Sequence, residues 1–197
     1  MGAGGLEIGK DGTRGGSGLG AGALVPGALA SAGEERPLSH WRGTGPGPVT
    51  VTVLDSLPDQ WRSEELARKV VNHYDRKVHG LKLRIVTAKN GRRARRRCVV
   101  PRAAIRLCAF NRGPEVDYGR SLMRYGEGHI TGAVAEANTH YINTAALRRG
   151  ILCHEFGHAI GLSHSEHYDS CMSLALPPTP SARDIDVLRG LYDSHHH

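Results

Sequence analysis

"CHEFGHAIGLSHSEHYDSCM" occupies residues 153–172 and gathers four histidines and two cysteines into twenty residues. Side chains of this kind are costly to bury unless each finds a partner. His154, His158 and His164 stand at relative positions 0, 4 and 10, and Glu155 follows the first. Residues four apart lie one turn above each other on one face of a helix. His154 and His158 can therefore aim two imidazoles at one ion about 2 Å from each ring. Gly161 can end the helix in a left-handed turn, which returns His164 as a third ligand. Three neutral imidazoles leave one tetrahedral position open, the arrangement of a catalytic zinc. Glu155, beside the first ligand, can reach a water there. The full HExxHxxGxxH spacing is far more specific than HExxH alone.

The flanking sequence supplies the helix that this reading needs. In 146–162, Leu147, Ile151, Phe156, Ala159 and Ile160 recur at helical spacing. Upstream, "VTVTVLD" (49–55) alternates with period two and is β-branched, a strand pattern. "SEELARKVVNHYDRKVHG" (63–80) aligns Leu66, Val70, Tyr74 and Val78 on one helical face, with Ser63 as cap and Gly80 as stop. Two more strands are expected at 81–88 and 103–111, then a loop over 112–128 and two short strands within 129–145. Pro177, Pro178 and Pro180 enforce an extended loop. "SARDIDVLRGLY" (181–192) opens with a capping box of Ser181 and Asp184.

Composition narrows the classes. Of 197 residues, 39% are hydrophobic but only 5% aromatic, so the core is aliphatic. No apolar run approaches the roughly 18 residues of a membrane span. Residues 1–47 hold 15 of the 26 glycines and too few apolar side chains to offset ordering entropy. They are expected to be a flexible tail, a pro-segment or a degenerate export signal, followed by one domain over 48–193 and a tail at 194–197. The net charge of +7 allows acidic partners. The arginines at 92, 93, 95, 96 and 97 lack the interleaved aromatics of a nucleic-acid site and are expected to be a solvated loop. Neither a nucleic-acid nor a membrane partner is expected. Cys98, Cys108, Cys153 and Cys171 form two local pairs, which fits disulfides in an oxidising compartment, with reduced buried thiols as the alternative.

"HEFGHAIGLSHS" resembles the zinc-binding consensus of the metzincin metallopeptidases, and more narrowly of the matrixins, where a serine follows the third histidine as Ser165 does here. Matrixins carry the methionine of the Met-turn eight residues after that histidine, and Met172 stands there. The closing 181–192 segment is similar to the last matrixin helix. The resemblance implies an α/β (α+β) fold: a twisted mixed sheet of four to five strands, an active-site helix, a Met-turn and a C-terminal helix. It implies a secreted, monomeric, zinc-dependent endopeptidase acting on polypeptides, with one zinc on His154, His158 and His164 and Glu155 as general base. "GAVAE" (132–136) would be the strand above the cleft, so Gly132, Ala133, Val134 and Ala135 would bind substrate. "SLALPPTP" (173–180) would wall the pocket beyond the cut. In such a fold Cys153 and Cys171 flank the zinc floor, where a disulfide could staple the Met-turn to the helix; two thiols or a thiolate ligand are the alternatives. Cys98 and Cys108 bracket Pro101 and could pair likewise. Residues 112–145 lack the matrixin Asp/His/Gly pattern, so neither calcium nor a structural zinc is expected. "RRRCVVP" (95–101) resembles a cysteine switch but lies inside the domain, and no latency role is read from it. Tyr168, His129, His140 and His167 are expected to be structural or solvent-facing. A zinc-stabilised binding module without hydrolysis is the rival, against which the intact Glu155 argues.

Overall fold

A computed structural model describes residues 39–88 and 98–193. The arginine run at 92–97, most of the glycine-rich segment and the tail at 194–197 lie outside the described residues. The alternating "VTVTVLD" forms β1 (Val49–Asp55), with Val49, Val51 and Val53 turned into the core. Parallel neighbours flank it, β2 (Leu81–Thr87) and β3 (Ala104–Phe110). The sheet continues through β5 (His129–Asn138), parallel to β3, to the antiparallel edge strand β4 (Gly119–Gly126). The order is β2-β1-β3-β5-β4, the mixed five-stranded sheet expected from the sequence.

Two expectations give way. The helix proposed from Ser63 is two helices, α1 (Asp59–Ser63) and α2 (Leu66–Lys77), broken where Glu65 adopts a left-handed φ of 54°. Ser63 therefore caps nothing; its hydroxyl donates to the Gln60 carbonyl at 2.7 Å. The loop expected over 112–128 contains β4, and 129–138 is one long strand rather than two short ones. Glu127 and Gly128, both at positive φ, make the two-residue turn of this hairpin. As an edge strand, β4 buries only part of one face, so Arg120 and Arg124 dilute its apolar signal.

The helices share one face of the sheet. Alternate residues of the strands, Val51, Val53, Ile105, Leu107, Ala133 and Ala135, join α2, α3 (Ala145–Ala159) and α4 (Ala182–Tyr192) in one core. The alanines of β5 let α3 approach the sheet closely. On the opposite face, Cys98, Cys108 and Val134 form a smaller cluster with Val100 and Phe110. Residues 39–47, within the span expected to be a tail, are described, and Trp41 belongs to the main core. Its indole nitrogen donates to the Ala159 carbonyl at 2.8 Å, and its main-chain nitrogen to the Tyr192 hydroxyl at 3.2 Å. That hydroxyl donates onward to the Ile160 carbonyl at 2.8 Å.

Trp41 thus ties the end of α3 to α4. Trp41→Ala is expected to destabilise the protein by about 3–5 kcal/mol, measured by urea unfolding. A loss below about 1 kcal/mol would show that the aromatic anchor is dispensable.

Candidate active site

Thr144 starts α3 as its N-cap, accepting from the Leu147 main-chain nitrogen at 3.2 Å. From Gly150 to Ala159 the helix is buried at every position except His158, which is half-buried. Two glycines make that depth attainable. A β-carbon on Gly150 would overlap the Leu176 carbonyl oxygen, and one on Gly157 would overlap the Met172 sulfur. The polypeptide from Met172 to Leu176 consequently lies directly on the helix. Gly161, at φ 109°, ends α3 and turns the chain toward His164.

The three histidines converge as their spacing requires. Nδ1 of His154 lies 2.9 Å from the Cys171 carbonyl, and Nδ1 of His158 lies 2.8 Å from the Leu162 carbonyl. A carbonyl can only accept, so both Nδ1 atoms carry the proton and both Nε2 atoms offer lone pairs. Those two Nε2 atoms are 3.1 Å apart. The His164 ring centroid is 5.2 Å from that of His154 and 4.7 Å from that of His158. One nitrogen from each ring falls in a cluster within 4.8 Å. Tetrahedral zinc with bonds of about 2.0–2.1 Å separates its ligand atoms by roughly 3.3 Å, so these residues fit the ion. Burial, helped by the neighbouring His154 and His164 charges, pushes the His158 imidazole down to about 4. Burial lowers His154 as well, against its bond to Cys171. Neutral rings are the metal-binding form. Exposed His164 leaves the cluster open toward solvent.

Met172 is buried, and the turn carrying it is fastened at several points. Its carbonyl accepts from the Ser165 nitrogen at 3.1 Å, beside the third ligand. Its own nitrogen donates to the Ser170 hydroxyl at 3.0 Å, and that hydroxyl donates to Asp184 at 2.6 Å. Asp184 also accepts from the Ser181 nitrogen, so the expected capping box of α4 doubles as an anchor for the turn. Disulfides join Cys153 to Cys171 and Cys98 to Cys108. The first links α3 to the turn; the second, on the other side of the sheet, holds Cys98 away from the histidines. Tyr74, wholly buried on α2, donates to the Cys153 carbonyl at 3.2 Å and touches both sulfurs of that bridge. Sequence reasoning put Tyr74 on one face of a helix but gave neither it nor Gly157 a part in the site. Only the wide separation of Tyr74 from the motif hid it, whereas Gly157 sits inside the motif itself.

Glu155 is 6% exposed, and its carboxyl packs against the main chain of Gly119, the first residue of β4. A β-carbon at position 119 would lie 2.6 Å from Oε1. Burial, helped by the Asp117 and Glu136 charges, pushes this carboxyl up to about 8. A divalent cation at the adjacent histidines acts in the opposite direction. The expected substrate residues require correction. Gly132, Ala133, Val134 and Ala135 lie in β5, which is hydrogen-bonded to β3 on one side and β4 on the other, so its main chain has no free edge. Gly132 is where the chain entering β3 crosses, with the Pro101 carbonyl filling the place of a side chain. Glu136 is buried beneath Arg112, at 2.6 and 3.0 Å, and Arg120, at 3.2 Å, and serves the sheet. Tyr168 is 84% exposed, as expected of a surface residue.

The matrixin family model matches residues 55–192, from the end of β1 to the end of α4. The chain belongs to the matrixin family. Membership makes it a zinc metalloprotease, with His154, His158 and His164 as the site that can hold the metal. Among solved structures it is similar to myroilysin (13% identity, 80% of this chain and 97% of that one, TM-score 0.49). It is also similar to high choriolytic enzyme 1, a hatching enzyme zinc-protease of the medaka Oryzias latipes (16%, 79% and 95%, TM-score 0.46). A third is archaemetzincin of Methanopyrus kandleri (15%, 80% and 98%, TM-score 0.46). No curated protein matches. In this matrixin, Gly157→Ala is expected to displace Met172 and lower both zinc affinity and melting temperature. The penalty is that of overpacking, about 1–3 kcal/mol. Calorimetry and zinc titration check it, and unchanged affinity and stability would contradict the close approach.

Proposed function

We propose that this matrixin is an endopeptidase that hydrolyses extended polypeptides with Glu155 as its general base. The observation that carries the proposal is the Glu155 carboxyl, buried one residue after His154 and pressed against the edge strand at Gly119. His154, His158 and His164 would hold one zinc ion through their unprotonated nitrogens. When bound, zinc supplies a Lewis acid that polarises the scissile carbonyl and acidifies water. Glu155 would accept the proton of the attacking water at a carboxylate oxygen and return it to the leaving nitrogen. Among the described residues β4 has a neighbour on one side only, so its other edge is free to pair with an extended peptide. Residues 173–180 would border the same cleft, with Leu174 almost fully exposed beside it.

Two disulfides, and the absence among the described residues of any helix long and apolar enough to cross a membrane, support an extracellular site of action. Glu155→Gln keeps the shape of the side chain but cannot take the proton. It is expected to retain zinc content and melting temperature while turnover of a peptide selected from a diverse library falls by about 10²–10⁴ or more. Comparable turnover by the variant would refute Glu155 as base. A wild type that binds zinc and cleaves nothing would favour a binding module.

A further inference from the structure

Away from the histidines, a groove of about 450 Å³ runs between α2 and the first turns of α3. Lys69, His73 and Lys77 follow one another at four-residue steps and Arg76 stands seven after Lys69, so all four lie along one face of α2. The other face of that helix, with Val70, Val71 and Tyr74, is in the core. Arg149 closes the groove from α3. Only one carboxylate lines it, Glu65, exposed and 4.0 Å from Arg68. Among the described residues, Lys69, Arg76, Lys77 and Arg149 take part in no ion pair. Arg149 is also distinguished from its neighbour. Arg148 is clamped by both oxygens of Glu64 at 2.6 and 3.0 Å, whereas Nε of Arg149 is buried with no hydrogen-bond partner. Burial lowers the pKa of His73, and the charges of Arg149 and Lys77 lower it further. Positive charge is thus concentrated here, with Glu65 as the one carboxylate among the lining residues.

We propose that this groove binds a sulfated polysaccharide. Lys69 and Lys77 stand two turns, about 12 Å, apart along the helix, with Arg76 beside Lys77 and the His73 ring, whose charged form is disfavoured, between the lysines. That is a linear array for a polymer bearing anionic groups on successive sugars. Guanidinium forks suit the oxyanions, and the Asn72 amide in the same groove suits sugar hydroxyls. Single-stranded nucleic acid would call for stacking rings, yet the exposed tyrosines, Tyr118, Tyr125 and Tyr168, all lie elsewhere. A membrane surface would call for apolar anchors, and no exposed large hydrophobic side chain lines the groove. The two disulfides also match the oxidising compartment in which such glycans occur.

The test is calorimetric titration of the full chain with a heparin hexasaccharide at increasing sodium chloride. Lys69, Arg76 and Lys77 are all exposed, so replacing them together by glutamine leaves the core untouched. The triple variant is expected to bind at least about tenfold more weakly, with a shallower salt dependence, as loss of anion contacts requires. Arg149→Gln alone, judged at an unchanged melting temperature, is expected to weaken binding about threefold or more and carries the test should the triple variant unfold. Neutralising the arginines at 92, 93, 95, 96 and 97 is expected to change affinity less than about twofold. Wild-type affinity in the groove variants, or loss of binding only in the arginine-run variant, would overturn the proposal. Tighter binding to single-stranded DNA, or to phosphatidylserine–phosphatidylcholine vesicles, than to the hexasaccharide would overturn the class of ligand.

Discussion

The hydrogen bond from His154 Nδ1 to the Cys171 carbonyl is the constraint on which the site depends. It fixes the tautomer and the ring plane of the first ligand, and it does so with main chain from a turn seventeen residues away. That turn must therefore be held as firmly as the helix. The neighbouring Cys153–Cys171 disulfide, the Ser170–Asp184 bond and the capping box of α4 all act on it. A carbonyl held in this way orients a ligand and raises its basicity, where a freely moving one would do neither. All of these clamps bear on the same few residues, Ser170 to Met172, and so on the carbonyl that orients His154.

Burial is the opposing term. Taking His154, His158 and Glu155 out of water disfavours their charged forms, lowering the imidazoles and raising the carboxyl. The imidazoles gain by this, since a neutral ring is the ligand. The carboxyl is pushed up by the same burial, and a cation held at the histidines would draw it back down. The depth itself comes from small residues. Gly150 and Gly157 admit the chain after the turn, Gly119 admits Glu155, and the alanines of β5 admit α3. An ordinary side chain at any of these would force apart elements that must touch.

Much of this was legible in the sequence, because the metal-binding spacing is local and dictated by helix geometry. The 0, 4, 10 histidines, the methionine eight residues on and the Ser181–Asp184 box each stand within one short segment. The strands β1, β2 and β3 were legible too, since they carry the period-two alternation of half-buried β structure. What failed was non-local. Sheet order cannot be read from alternation, so "GAVAE" was read as the strand above the cleft while the polar edge strand, Gly119–Gly126, passed for a loop. Glu127–Gly128 was the available signal, a two-residue hairpin turn that implies a strand on each side. Glu65 broke an otherwise regular helical pattern through a left-handed φ that no propensity foretells. Trp41 was hidden among glycines and prolines, although an isolated tryptophan in such a segment is itself a hint of an anchor.

The central claim is that three imidazoles, and no thiolate, hold one catalytic zinc. X-ray absorption at the zinc edge on the metal-loaded protein tests it most directly. The account predicts one zinc per chain with three imidazole nitrogens at about 2.0–2.1 Å and a light-atom fourth neighbour. A sulfur shell at about 2.3 Å, or a folded chain that takes up no zinc, would contradict it.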